Sequence, residues 1–240
     1  SPDSTGVSTF PMNMKKDGNG NLIRVSTNDA YLDPVRIMNE TSRNCKNHLT
    51  VRPNTLVNRI IFDDENKTRA IGIEVVQQYF PDDSNGKEDI KEAEKEIIYV
   101  TGEVILTAGA LYTPAILQRS GVGPKSILGA FNIPVIKECD IGKGLQDHPV
   151  INGKLYLSMK NSYDVSKRHA NALSRFTSNI GGECFNDLYF VSVEQGNDPR
   201  AQVNDDSKTN YPVGFIDVML MKCNSRGSVE INSLDPSVSP

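Results

Sequence analysis

Gly109-Ala110-Leu111-Tyr112-Thr113-Pro114-Ala115-Ile116-Leu117-Gln118-Arg119-Ser120-Gly121-Val122-Gly123 is the stretch on which the fold turns. It follows Val104-Ile105-Leu106, three apolar residues with no polar alternation, as in a strand covered on both faces. Thr107-Ala108-Gly109-Ala110 then supplies a turn of small residues. Thr113 suits a helix N-cap and Pro114 the first helical turn, Ala115-Ile116-Leu117 give an apolar face, and Gly121 stops the helix. The layout is buried strand, small-residue turn, helix. At such a turn the backbone N–H groups and the helix dipole face outward, and small residues let a phosphate approach.

Working outward toward the N-terminus, Gly18-Asn19-Gly20 marks a turn, and apolar positions in Asn28–Asn44 have loosely helical spacing around Pro34. From His48 the pattern becomes β: Leu56-Val57 and Ile60-Ile61-Phe62 lead through Asp63-Asp64-Glu65-Asn66 into Ala70–Val76, predicting a hairpin. Pro81–Glu96 is almost wholly polar and reads as a solvated excursion before a strand at Ile97–Val100. Beyond the helix, Pro124–Phe131 predicts a second short helix and Ile133–Ile136 an extended run. Strands are predicted at Lys154–Leu157, Leu188–Val193, Phe215–Met221 and Ser228–Ile231, around a helix-like stretch at Asn171–Thr177.

Composition narrows the classes. The 240 residues, 38% of them hydrophobic, suffice for one large domain or two modest ones. A formal charge of -4 argues against a nucleic-acid partner, and no apolar stretch approaches the roughly 20 residues that span a bilayer. The opening Ser1-Pro2-Asp3-Ser4-Thr5 has neither a charged nor an apolar leader segment, which suggests a soluble chain whose start was cut or processed. Cys45, Cys139, Cys184 and Cys223 form no CxxC pair, so no metal site is expected. Two sequons, Asn39-Glu40-Thr41 and Asn66-Lys67-Thr68, suit a secreted protein, with the compartment left open.

Within the fifteen residues 109–123, residues 110–123 resemble the second signature of the glucose–methanol–choline oxidoreductases, Gly/Ala-x-x-Ser/Thr-Pro-x-x-Leu-x-x-Ser-Gly-Ile/Val-Gly. Further features of that family fall in order: Arg52-Pro53-Asn54 before a strand, the loop Ile141-Gly142-Lys143-Gly144-Leu145-Gln146-Asp147-His148-Pro149, and Ser225-Arg226-Gly227-Ser228-Val229 followed by Asp235-Pro236. The resemblance implies an α/β fold: part of an FAD-binding, Rossmann-like domain at residues 1–150, then part of an α+β antiparallel-sheet substrate domain at residues 151–240. It implies FAD as cofactor. Val57, with Leu56 beside it, would contact the adenine through its main chain. Ala108 and Gly109 would lie against the diphosphate or ribose, and Asp147 and His148 near the cofactor at the crossing into the substrate domain. Gly144 stands where the family usually has Asn, which puts any contact from that side chain in question.

Other motifs fall away. Gly18-Asn19-Gly20 lacks the third glycine and the buried strand of a Gly-x-Gly-x-x-Gly loop, and Pro124 breaks the faint P-loop at Gly121–Ser126. No Gly-x-Ser-x-Gly elbow is present to make Asp147-His148 part of a hydrolase triad. His48 and His169 read as ordinary surface or hydrogen-bonded residues, and His148 as structural or cofactor-side. No catalytic residue is assigned. By resemblance, the dinucleotide loop and a C-terminal catalytic histidine lie outside these residues, so the chain is expected to be an internal portion of a longer relative. That relative would oxidise a small alcohol, with proton removal by the histidine and hydride transfer to the flavin. Hydroxynitrile lyase activity on the same fold and a non-catalytic remnant are the alternatives. The remainder of its own chain is the expected partner, because a sheet without its neighbouring strands exposes apolar surface.

Overall fold

The computed structural model describes residues 6–9, 11, 13–41, 49–77, 95–156, 170–180, 185–194 and 213–240. In chain order the elements are β1 (Gly6–Thr9), β2 (Met14–Lys16), β3 (Leu22–Arg24), a π-helical turn (Asn28–Leu32) and α1 (Asp33–Thr41). Next come β4 (Thr55–Phe62), β5 (Ala70–Gln77), β6 (Lys95–Tyr99), α2 (Gly109–Arg119), β7 (Val122–Gly123), α3 (Lys125–Ala130), β8 (Lys137–Glu138) and β9 (Lys143–Leu145). The last are β10 (Val150–Tyr156), β11 (Ala170–Phe176), β12 (Leu188–Glu194), β13 (Val213–Leu220) and β14 (Gly227–Ser228). They form two compact units, each discontinuous in sequence: residues 1–49 with 147–224, and residues 50–146 with 225–240.

The first unit is built on an antiparallel sheet of order β1-β11-β12-β13-β10. Leu173 and Val191, paired across β11 and β12, are buried, and Tyr189 and Met219 pack against them on the same face. The helix expected at Asn171–Thr177 is therefore strand β11. Its apolar residues fit either period over so short a run, and the cross-strand pairs of Leu173 with Val191 and Phe176 with Leu188 decide for the sheet. The Phe176 and Phe190 rings meet edge to face, 5.0 Å between centroids. The Gly18–Gly20 turn closes the β2–β3 hairpin, with Asp17 Oδ1 accepting the N–H groups of Asn19 (2.9 Å) and Asn21 (2.8 Å).

In the second unit β4, β5 and β6 form a three-stranded antiparallel sheet, as the hairpin pattern requires. Lys95 and Glu96, expected in the polar excursion, belong to β6, while 81–94 lies outside the described residues. The strand expected at Val104–Leu106 is not one. Among the described residues nothing pairs with its main chain, and Ile105 is 77% exposed. Apolar composition makes a residue fit for a strand, but a neighbouring ladder makes the strand. The extended run expected at 133–136 forms its ladder slightly later, as β8, parallel to β7.

α2 begins one turn earlier than the cap pattern suggests. Ala108 is its N-cap, so Thr113 is not the cap and Pro114 lies inside the helix. The physical reason is Gly109, whose φ of +81° turns the chain into the helix without a hydroxyl cap. At the other end Gly121, φ +85°, is the left-handed terminator; a Cβ there would lie 2.5 Å from the Pro134 carbonyl oxygen. Ser120 joins helix to sheet: its Oγ accepts the Ile60 N–H (2.8 Å) and donates to the Ile116 carbonyl (2.6 Å).

Candidate functional site

The second unit holds four of the six residues expected to touch the cofactor. Leu56 and Val57 are half-buried in β4, opposite Val76 and Val75. β4 is the end strand of its sheet, and α2 closes that strand at Asn58 and Ile60 through Arg119 and Ser120. Ala108 and Gly109 are exposed at the start of α2, and a Cβ built on Gly109 meets nothing within 4 Å. The remaining two, Asp147 and His148, group with the first unit and are exposed. Asp147 Oδ1 accepts the His148 N–H (2.8 Å), and the Asp147 carbonyl accepts the buried Cys223 thiol (3.1 Å). His48 and His169 lie outside the described residues.

Polar residues that the motif leaves as unspecified letters hold this surface in place. Gln118, fully buried, donates from Nε2 to the carbonyls of Ile141 (3.2 Å) and Val229 (3.0 Å) and accepts the Ile231 N–H at Oε1 (2.9 Å). One amide thus ties α2 to the start of the 141–149 loop and to the segment after β14. Arg119, also buried, donates from Nε to the Asn58 carbonyl (3.0 Å). Burial draws its basicity down, and the Asp235 carboxylate opposes that. Positions 115, 118 and 119 share a helical face with spacings of three and four. Gln and Arg at apolar spacing are the sequence signal that these side chains are buried and need partners.

Beside Val57, Asn58 Nδ2 donates to Glu74 Oε1 (2.6 Å), and Arg59 donates to Glu74 Oε2 from Nε (3.2 Å) and a terminal nitrogen (2.9 Å). Burial raises the Glu74 pKa, but the hydrogen bonds from Arg59 and Asn58 outweigh it and hold the carboxyl below its ordinary value. A depressed folded pKa contributes stability that is present above the unfolded value, about 4.3, and is lost as pH falls through the folded one. Glu74→Gln is expected to flatten the loss of stability as pH falls below the ordinary glutamate value of about 4.3. Denaturant midpoints across that range, beside the wild type, check it. The buried Asn58 Oδ1 has no hydrogen-bond partner among the described residues, so a donor is wanted one residue from Val57.

Gly144 explains its own departure from the family letter. Its φ is +83°, with nothing within 4 Å of a Cβ. Asn is the side-chain-bearing residue that best tolerates left-handed backbone, so Asn and Gly satisfy the same requirement here.

A three-stranded sheet closed by a glycine-started helix in one unit, and a five-stranded antiparallel sheet in the other, make a mixed α/β architecture. The family model described as GMC oxidoreductase matches residues 12–150, and the chain belongs to that family. FAD is the cofactor of the family. Among curated relatives, an oxygen-dependent choline dehydrogenase of Pectobacterium carotovorum is 34% identical over 126 residues, 52% of this chain and 18% of that protein. Dehydrogenase xptC of Emericella nidulans is 44% identical over 94 residues, 39% of this chain and 13% of that protein. The chain thus matches less than a fifth of the length of either relative. Among solved structures, pyridoxine 4-oxidase from Mesorbium loti superposes with a TM-score of 0.60 at 22% identity, covering 88% of this chain and 36% of that one. A variant formate oxidase of Aspergillus oryzae gives 0.61 at 18% identity, covering 80% and 39%. These likenesses concern the fold. No helix among the described residues is long and apolar enough to cross a membrane, and no cluster of three or more His, Cys, Asp or Glu among them could hold a metal.

The residues present offer three features that fit a nucleotide cofactor: open space over a left-handed Gly109, an end strand at Leu56-Val57, and a buried Asn58 Oδ1 with no partner among the described residues.

Proposed function

We propose that this chain is part of a flavoprotein that oxidises a small alcohol, and that it supplies much of the seat for the adenine and diphosphate end of FAD. Leu56 and Val57 would bind the adenine through their main chain, Ala108 and Gly109 would admit the diphosphate or ribose, and Asp147 and His148 would border the cofactor on the substrate side. The observation that carries the reading is Gly109: φ +81° at the exposed start of α2 with nothing over its Cβ position, inside the residues the family model matches. FAD, when bound, takes up the two electrons that the alcohol loses. The work of this chain is to hold and orient: a helix start aimed at an anionic group, fixed from behind by the hydrogen bonds of Gln118, Arg119 and Ser120. The choline dehydrogenase among the curated relatives supports oxidation of a small molecule.

The test is FAD retention in the full-length protein, read by the bound-flavin absorption bands and quenched fluorescence. Gly109→Trp fills the open space and is expected to weaken FAD binding at least about tenfold, roughly 1.4 kcal/mol or more. Because α2 is anchored at its far end, the denaturation midpoint of the apoprotein should move far less than the affinity. Val57→Pro removes a main-chain donor from β4 and should lower retention as well. Unchanged retention in both variants would remove the site assignment.

A further inference from the structure

Of the two sequons, the structure favours one. Asn66-Lys67-Thr68 occupies the connection between β4 and β5, where residues 64–69 are exposed. This connection is well fixed: Asp63 Oδ1 accepts the N–H groups of Glu65 (2.9 Å) and Asn66 (2.9 Å), and the Asn66 carbonyl accepts the Arg69 N–H (2.9 Å). Within it the Asn66 Oδ1 accepts both the Thr68 hydroxyl (2.7 Å) and the Thr68 N–H (3.2 Å). Amide and hydroxyl, the two groups a glycan-transferring enzyme reads together, are already side by side. The middle residue is drawn aside, Lys67 Nζ lying 2.8 Å from Asp64 Oδ1. The Asn66 Nδ2, the atom a sugar would join, has no hydrogen bond among the described residues.

Asn39-Glu40-Thr41 presents the opposite case. All three residues lie in α1. The backbone there is helical and makes none of the turn that brings Asn66 and Thr68 together.

We propose that Asn66 is an N-glycosylation site and that Asn39 is not. The donor class is an oligosaccharide on a lipid diphosphate. Nδ2 bonds to the anomeric carbon, the bond from that carbon to the phosphate oxygen breaks, the lipid diphosphate leaves, and the proton released from Nδ2 passes to a base of the transferase. No net oxidation occurs. The glycan would project from an exposed turn, where its bulk meets solvent.

The experiment is peptide mapping of the full-length protein from its native source after peptide-N-glycosidase treatment in heavy-oxygen water. The expected result is conversion of Asn66 to a heavy-oxygen aspartate with the Asn39 peptide unlabelled. In a glycosylating host, Thr68→Ala should abolish the gel shift removable by the glycosidase, whereas Thr68→Ser and Asn39→Gln should keep it. An unlabelled Asn66 peptide, or equal labelling at Asn39, overturns the proposal.

Discussion

Gly142→Ala is expected to destabilise the full-length protein by roughly 3–5 kcal/mol, the sum of a left-handed backbone forced on a non-glycine residue and an overpacked contact. The φ at Gly142 is +91°, and a Cβ there would stand 2.2 Å from the Val229 carbonyl oxygen and 2.7 Å from Gln118 Nε2. One of those neighbours is backbone, accepting the Gln118 amide, and the other is the amide that fixes the loop. Neither moves without breaking a bond. The same Gly142 carbonyl accepts the Val229 N–H at 2.8 Å, so the two segments cannot separate to make room. Gly144 is the internal control: its φ is +83° but its surroundings are open. Gly144→Ala should cost about 1 kcal/mol from the backbone alone, and Gly144→Asn less. Urea midpoints of the three variants check this; a loss in Gly142→Ala no larger than in Gly144→Ala would mean that the 142–229 contact is not as close as described.

Gln118→Leu is expected to cost roughly 3–5 kcal/mol although it nearly preserves volume, because it strands main-chain groups that the amide serves, at about 1–3 kcal/mol each. The Ile231 N–H loses its acceptor, and the carbonyls of Ile141 and Val229 lose a donor. The Val229 carbonyl also has the Gly142 backbone close by, so the loop and the 229–231 segment should loosen together. Combining Gly142→Ala with Gln118→Ala supplies a sharper check. Removing the amide relieves one of the two clashes, so the double variant should be less destabilised than the sum of the singles by about 1 kcal/mol. Strict additivity would separate the two residues and break the account of a shared contact.

Much of the architecture was legible from pattern. The β4–β5 hairpin follows from the apolar β-runs on either side of Asp63–Asn66, and both strands formed and pair antiparallel, with register shifts between Val57 and Arg59 and between Ile61 and Phe62. α2 and α3 follow from apolar spacing bounded by Gly121 and Pro124, and membership of the GMC oxidoreductases follows from the letters at 109–123. Two segments escaped the same reasoning. Asn171–Thr177 is strand and not helix, because over seven residues the apolar pattern suits both periods and the partners on β12 decide. Val104–Leu106 has the composition of a buried strand but no ladder among the described residues, because hydrogen bonding between strands is a property of neighbours.

For the candidate site the division is similar. The residues with backbone demands were visible one by one: Gly109, Gly121 and Gly142 each carry positive φ, a local requirement that only glycine meets freely. What sequence by itself determined was therefore the family, the positions of the turns and the small-residue approach to α2, while the start of that helix at Gly109 came from the structure. Only the tertiary structure decided that Gln118 binds three main-chain groups from two distant segments, that Asn58 and Arg59 share Glu74, and that Asn66 meets Thr68 while Asn39 stands in a helix. The reason is physical. A buried polar side chain is defined by the partners that replace its water, and those partners come from 23 to 113 residues away in the case of Gln118.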